Sequence, residues 1–324
     1  MNVVEITHLT KDYRTGFWFH KRRRALEDLS LTVQAGEIFG FLGPNGAGKT
    51  TTLKILMGLI RPTAGKARIL GCPIDHVQMH QEIGFLPENP YFYEYLTGRE
   101  YLIYTAELFG RGRAAAQSRA VELMEMVRLE ESLKIPLRKF SKGMIQRIGI
   151  AQALINDPRI VFLDEPMSGL DPVGRREVRD IIMNLRARGV TVFFSSHILA
   201  DVESLCDRVA ILNRGRLLDI GRLTEILRME VSALEVMAKD VQAVTLERLQ
   251  QLGGQTHAIG DRLHITLPDD RSLLEVIMTV QEGGGKVISV NPVRESLEEF
   301  FLKRIDAQYV SSHQYAQAGS EISR

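Results

Sequence analysis

Between residues 43 and 51 the chain reads Gly43-Pro44-Asn45-Gly46-Ala47-Gly48-Lys49-Thr50-Thr51, a spacing that predicts a loop wrapped around a polyphosphate. Backbone N–H groups can close on phosphate oxygens only where no side chain intrudes, and the glycines at 43, 46 and 48 allow that. Lys49 then supplies a point charge to the β and γ phosphates, and the Thr50 hydroxyl is placed to ligate Mg²⁺. A second pattern, Ile160-Val161-Phe162-Leu163-Asp164-Glu165-Pro166, sets two adjacent carboxylates at the end of an apolar run. In phosphoryl transfer to water the attacking oxygen must be oriented and deprotonated. Asp164 beside the metal and Glu165 as general base are the natural roles.

These groups need elements to hold them. Ile38-Phe39-Gly40-Phe41-Leu42 before the loop reads as a short buried strand, and Leu53, Leu56, Met57 and Ile60 after it fall at helical spacing. The phosphates would therefore sit on a helix N-terminus, whose unpaired N–H donors and partial positive charge favour anions. Val161-Phe162-Leu163 and Val190-Thr191-Val192-Phe193-Phe194 read as further strands buried on both faces. Between them Asp171 as N-cap, Pro172 at the first helical position, an apolar face of Val178, Ile181, Ile182 and Leu185, and Gly189 as the stop mark a helix. This is an α/β pattern with parallel strands. From about 88 to 157 the pattern is mostly helical, with Val121, Leu123, Met124 and Val127 on one face, which predicts a helical insertion. Asn213-Arg214-Gly215 reads as a hairpin turn.

After about residue 230 the units shorten. Leu234–Val236, Val241–Leu252, Thr256–Ile259, Leu263–Leu267, Leu273–Val280 and Val287–Val290 suggest a β-α-β-β-α-β order, ferredoxin-like in outline, with a last helix around Leu297–Arg304. The expected organisation is an α/β domain over 1–222, a linker over 223–231, a small α+β accessory domain over 232–306 and a disordered polar tail over 307–324.

With 41 Lys+Arg against 40 Asp+Glu, the charge balance argues against a protein that holds nucleic acid by neutralising its phosphates. Cys72 and Cys206 match no metal spacing, which fits two ordinary thiols in a reducing compartment. The opening Met1-Asn2-Val3-Val4-Glu5-Ile6 lacks the regions of a signal peptide, and no apolar stretch approaches the ~18 residues needed to span a bilayer. The expectation is a soluble chain that meets a membrane only through a partner.

The motifs together resemble the ATP-binding cassette (ABC) ATPases, over about residues 3 to 222. Phe140-Ser141-Lys142-Gly143-Met144-Ile145-Gln146-Arg147 is similar to the family's signature sequence, Ser168-Gly169-Leu170-Asp171 to its D-loop, and Ser195-Ser196-His197 to its switch histidine. Tyr13 resembles the aromatic that stacks on adenine. The resemblance implies a P-loop NTPase fold of ABC type that binds ATP and Mg²⁺ and hydrolyses ATP. Ser141 can also N-cap the helix that follows, and with Gly143 and the free N–H groups of that turn it makes a second anion site. In the family this site closes on the γ-phosphate held by another subunit, so the implied unit is a head-to-tail homodimer or heterodimer.

Two departures stand out. The signature has Phe140, Lys142 and Met144 in place of the usual Leu, Gly and Gln, and Lys142 either adds charge near the phosphates or points to solvent. In Gly84-Phe85-Leu86-Pro87-Glu88 the family commonly has Gln where this chain has Glu88, whose carboxylate can accept a metal-bound water or ligate Mg²⁺ directly. Pro90-Tyr91-Phe92-Tyr93-Glu94-Tyr95 is either core packing of the insertion or the groove for a permease helix. Phe17-Trp18-Phe19-His20-Lys21-Arg22-Arg23-Arg24 is a solvated loop or a surface for lipid headgroups or a partner. The resemblance implies a cytoplasmic ATPase bound to the inner face of the membrane through an integral membrane permease. The accessory domain resembles those of bacterial drug, polysaccharide and ion exporters, which favours export. The alternatives are an ATPase driving a membrane complex that moves no substrate, or a soluble ABC ATPase acting on ribosomes or DNA.

Overall fold

All residues of Ile38–Leu42, Ile160–Asp164 and Thr191–Ser196 are buried, as parallel strands covered on both faces require. The structure, a computed structural model, describes residues 1–15, 21–226, 231–268 and 272–294. It divides into two compact units, Met1–Leu223 and Thr224–Arg324. Along the first unit run β1 (Asn2–Thr15), β2 (Lys21–Gln34), β3 (Ile38–Leu42), α1 (Lys49–Leu56), β4 (Ala64–Ile69), β5 (Cys72–Pro73), β6 (Ile83–Leu86), α2 (Gly98–Leu108), α3 (Arg113–Met126), α4 (Lys142–Ala153), β7 (Ile160–Asp164), α5 (Pro172–Ala187), β8 (Thr191–Ser196), α6 (Leu199–Leu205), β9 (Arg208–Asn213) and β10 (Arg216–Arg222), with α7 (Leu223–Ile226) at the boundary.

The α/β expectation holds. One sheet has the order β10-β9-β3-β8-β7-β6, parallel except for the β9–β10 hairpin. Its functional loops leave the carboxyl ends of β3, β7 and β8, where open α/β sheets place ligands. Arg214 and Gly215 both take positive φ, 48° and 82°, the backbone of a tight two-residue hairpin turn. Asp171 caps α5 by accepting the N–H of Gly174, and Thr97 and Glu100 close a capping box at the start of α2.

A second sheet, β2-β1-β4-β5, is antiparallel and was not expected. β1 shifts register between Ile6 and Leu9 and twice more before Asp12, so its apolar positions lose the period of two that marks a strand. Val4, Ile6, Leu29 and Leu31 of this sheet share one buried cluster with Leu53 and Leu56 of α1 and with Phe39, Phe41, Phe162 and Phe193 of the parallel sheet. Phe193 is the hub, its ring centroid 5.4, 5.3 and 5.4 Å from those of Phe39, Phe41 and Phe162. α1 is shorter than its apolar spacing suggests. It ends at Leu56, Gly58 turns the chain at φ 66°, and Ile60 packs on the core from beyond the helix.

The helices α2, α3 and α4 follow β6, and α4 returns the chain to β7. β6 touches α4 so closely that a Cβ on Gly84 would stand within a bond length or so of the Ala153 carbonyl. The second unit contains β11 (Val231–Lys239), α8 (Ala243–Gln251), β12 (Gln255–Ile259), β13 (Arg262–Leu267), α9 (Leu273–Glu282) and β14 (Lys286–Arg294). Its antiparallel sheet has the order β12-β13-β11-β14, the ferredoxin-like arrangement. Val236, Leu249, Ile265, Leu267, Val276 and Val280 form its core. The helix expected at 297–304, the tail from 307, and the aromatic part of loop 17–24 lie outside the described residues.

Candidate active site

The phosphate loop connects β3 to α1. Gly46 and Gly48 take φ of 82° and 111°, conformations that L side chains resist. At Gly48 and Gly43 space is also lacking. A Cβ at 48 would stand 2.6 Å from Leu26 Cδ2 and 2.7 Å from the Ala25 carbonyl, and one at 43 would stand 2.5 Å from the Leu212 carbonyl. The loop is tied from three sides: Ala47 N–H donates to Pro44 O, Gly43 N–H to Ser196 O at the end of β8, and Gly215 N–H to Ala47 O from the β9–β10 turn. α1 has Gly48 as N-cap and no side-chain cap, so its first N–H groups are left for an anion.

Above the loop lies a cavity of about 730 Å³ whose wall includes Tyr13, Asn45, Gly46, Gly48, Lys49, Thr50, Thr51, Glu88 and Glu165, with Arg14, Arg23, Arg24 and Arg214 on its basic side. It is of a size that takes a nucleotide. Lys49 is 5% exposed, and its ammonium donates to Gly43 O at 2.7 Å. The same nitrogen lies 3.1 Å from Glu165 Oε1. Yet that oxygen accepts no hydrogen bond, so the contact is an ion pair without hydrogen-bond geometry. The other carboxylate oxygen, Oε2, is 2.8 Å from His197 Nδ1. Glu165 itself has φ 52°, a left-handed backbone that costs about 1–2 kcal/mol for a residue with a Cβ and is typical of functional sites.

Asp164 is buried, and burial pushes its carboxyl up, against the pull of hydrogen bonds from the Ser195 and Thr50 hydroxyls, while the charges of Glu165 and Glu88 push it further up. Ser195 Oγ donates to Asp164 Oδ1 at 2.6 Å and accepts the N–H of Glu165 at 3.1 Å. One hydroxyl thus fixes both acidic residues. Sequence reasoning did not assign Ser195 that part. Its signal was a hydroxyl at the end of an apolar strand, where an ordinary buried side chain would be aliphatic.

Tyr13, in β1, stands in the cavity wall with the Lys11 ammonium 5.2 Å from its ring centroid. Gly43, Pro44 and Ala47 serve as backbone scaffold behind the wall. Ser141 and Gly143 are not in it. Ser141 caps α4, accepting the N–H of Met144 at 3.3 Å, and is exposed. Of the two readings of Lys142, its exposed side chain lies with the ammonium against the open face of Gly169. The aromatic stretch divides. Phe92 is buried and meets Tyr101 edge to face at 5.0 Å, while Tyr91, Tyr93 and Tyr95 are exposed, and Tyr93 meets Tyr104 edge to face at 5.8 Å and Tyr95 at a tilt at 6.1 Å. In the basic run, Arg24 bonds to Asp12 across the strands.

Residues 26–168 match the ABC transporter family. Across 97% of this chain and 87% of its relative, 45% of residues are identical to an uncharacterized ABC transporter ATP-binding protein of Synechocystis sp.. The chain belongs to the ABC transporter ATP-binding proteins. A second member of the family, the fluoroquinolones export ATP-binding protein of Mycobacterium tuberculosis, is 43% identical over 62% of this chain and 66% of its own length. Among solved structures, an ATP-binding cassette captured as a dimer in a post-hydrolysis state with ADP and Pi is 27% identical and superposes with a TM-score of 0.62, covering 68% of this chain and 98% of that one. As an ABC ATPase the chain binds and hydrolyses ATP. Among the described residues no helix is long and apolar enough to cross a membrane.

Proposed function

We propose that this ABC ATPase hydrolyses MgATP at two sites shared head to tail between two chains, and that the work drives export through a separate membrane permease. The carrying observation is Glu165. Its Oε2 is held by His197 while its buried Oε1 accepts no hydrogen bond, which leaves a lone pair for the proton of an attacking water. ATP would lay its phosphates in the loop, with Lys49 turning from the Gly43 carbonyl to the β and γ oxygens and the base stacking on Tyr13.

The oxygens of Thr50, Asp164 and Glu88 are hard donors of the kind Mg²⁺ prefers, and one or two protein ligands with substrate phosphates are its usual complement. The buried Asp164 carboxylate, whose charge is opposed by those of Glu165 and the exposed Glu88, fits such a cation. When bound it neutralises charge on the β and γ phosphates. Asp164 and Thr50 would hold it, with Ser195 keeping the carboxylate aimed, and Glu88 would sense it directly or through a water.

Because Ser141 and Gly143 lie outside the cavity of their own chain and Ser141 is exposed, they would be free to close on the γ-phosphate of a second copy, and the dimeric state of a related cassette supports this. The exposed tyrosines 91, 93 and 95 suit the permease contact, which would hold the ATPase on the cytoplasmic face of the membrane. The export relative supports the direction of transport. The test mixes a Ser141→Arg chain with a Lys49→Ala chain. Each mixed dimer has one intact composite site and one doubly damaged site, so ATPase activity absent from either variant alone should return on mixing. Failure to return, with dimers present, would refute shared sites.

A further inference from the structure

Behind the Glu165–His197 pair, α5 and α6 enclose charged groups that hydrolysis as described leaves unused. Asp201 lies four residues after His197, in the first turn of α6, and is 2% exposed. Its nearest cation is Arg175 of α5, with Nη1 4.0 Å from Oδ1. Oδ2 of Asp201 accepts no hydrogen bond, and Nε of Arg179 donates none. Arg175 and Arg179 are one helical turn apart, so both face α6. A carboxylate buried this deeply is tolerated when cations neutralise it. Burial pushes the Asp201 carboxyl up, the two arginines oppose that, and the charges of Glu165 and His197 also reach it.

Arg175 has a second attachment. Its Nε donates to the carbonyl of Leu170 at 3.3 Å, in the loop Ser168–Asp171 that leads from Glu165 into α5. One guanidinium therefore bridges the main chain of this loop and the helix that continues from His197. The bridge is loosely closed, because the ion pair is at the limit of contact and two buried polar atoms around it are unsatisfied. Bringing the 4.0 Å pair to the ~2.8 Å of a charge-assisted hydrogen bond takes a shift of about an ångström, the scale on which a two-position linkage works.

We propose that Arg175 and Asp201 are positioning residues for hydrolysis, transmitting the position of the loop 168–171 to His197 and so to the Glu165 carboxylate it orients. The inference rests on the assignment of Glu165 and His197 to turnover. It predicts that damage to the bridge slows the chemical step without weakening ATP binding, because neither residue borders the nucleotide cavity.

The test measures kcat, KM for ATP and Tm on the full chain for Asp201→Asn, Arg175→Lys and Asp201→Glu. Lysine keeps the charge but cannot serve both Leu170 O and Asp201, so it should fail as asparagine fails. Each should lower kcat at least about tenfold with KM within about threefold, the signature of an interaction made for turnover and not for ground-state binding. Glutamate, which keeps the charge and reaches further, should restore most of kcat. The double variant Asp201→Asn/Arg175→Lys should be no slower than either single variant, whereas pairing Asp201→Asn with Tyr13→Ala should multiply the two effects. A merely structural ion pair would lower Tm and leave kcat per folded molecule unchanged, and that result overturns the proposal. If Asp201→Asn does not fold, Arg175→Lys, at a site one-third exposed, decides alone. Should Glu165→Gln and His197→Ala stop turnover while the bridge variants do not, the linkage fails and the site assignment stands. Should Glu165→Gln turn over normally, the assignment itself fails.

Discussion

If Glu165 is the general base proposed above, replacing it by Gln should separate affinity from chemistry at this site, because the amide keeps the size of the carboxylate and its contact with His197 but cannot take a proton from water. A positioned general base is worth about 10² to 10⁴ in rate, or ~3 to 5.5 kcal/mol of barrier. The structure adds a second effect of opposite sign on binding. Glu165 Oε1 lies 3.1 Å from the Lys49 ammonium, and at an effective dielectric of about 20 that separation corresponds to a gross attraction of about 5 kcal/mol. Desolvation of the two buried groups cancels most of it. What remains competes with the phosphates for Lys49, so the amide should raise ATP affinity by on the order of tenfold, about 1.4 kcal/mol. ATP that binds tightly and is not hydrolysed stabilises the closed dimer by mass action. Single-turnover hydrolysis, ATP binding by calorimetry and dimer fraction by light scattering measure the three terms. A variant that hydrolyses ATP within about threefold of the parent rate, or one whose loss lies in affinity and not in turnover, would refute the reasoning.

Asp164→Asn should raise Tm at neutral pH while stopping turnover. The folded state raises this carboxyl above its ordinary 3.8, so it binds its proton more readily than the unfolded chain does. Its contribution to stability therefore falls as pH rises from about 3.8 through the folded pKa and stays reduced above it. Removing the charge should recover a few degrees, at about 2–4 °C per kcal/mol for a domain of this size, and the gain should vanish in acid. Gly46→Ala, where a Cβ meets open space but φ is 82°, should cost about 1–2 kcal/mol by chemical denaturation. Gly48→Ala meets Leu26 and the Ala25 carbonyl as well and should cost more and abolish ATP binding. Phe92→Ala should cost about 3–5 kcal/mol as a buried aromatic. Tyr93→Ala and Tyr95→Ala should leave the stability and ATPase rate of the isolated chain within error and reduce capture of the permease, measured by co-purification.

The residues that were legible in the sequence carry their own local chemistry. Asp171 followed by Pro172 announces a helix start whatever surrounds it, and the loop from Gly43 to Thr51 needs only a strand before it and a helix after it. The accessory unit was readable because Gly253-Gly254 and Gly283-Gly284-Gly285 separate short elements of clear period. The antiparallel sheet was not, since its strands depend on cross-strand register between residues such as Val4 and Ile69 and bulges erase the alternation within β1. Ser195 and Asp201 were missed for a related reason. Their significance comes from partners 31 and 26 residues away in sequence, Asp164 and Arg175, that only the folded chain brings near.

The Ala25 carbonyl of β2 sits under two glycines at once, close enough that a Cβ on Gly48 or on Gly215 would stand 2.7 or 2.6 Å from it. The strand pair that carries Tyr13 is thereby wedged against the floor of the phosphate loop, and under the proposed reading the Tyr13 ring and the Lys49 ammonium, which line one cavity, would act like the jaws of a gauge. A nucleotide would then be measured along its whole length and not merely gripped at its phosphates. It follows that the parallel sheet alone is no minimal nucleotide-binding unit: a chain lacking residues 1–34 would lose the wedge together with the ring, and its loop would have nothing to rest on.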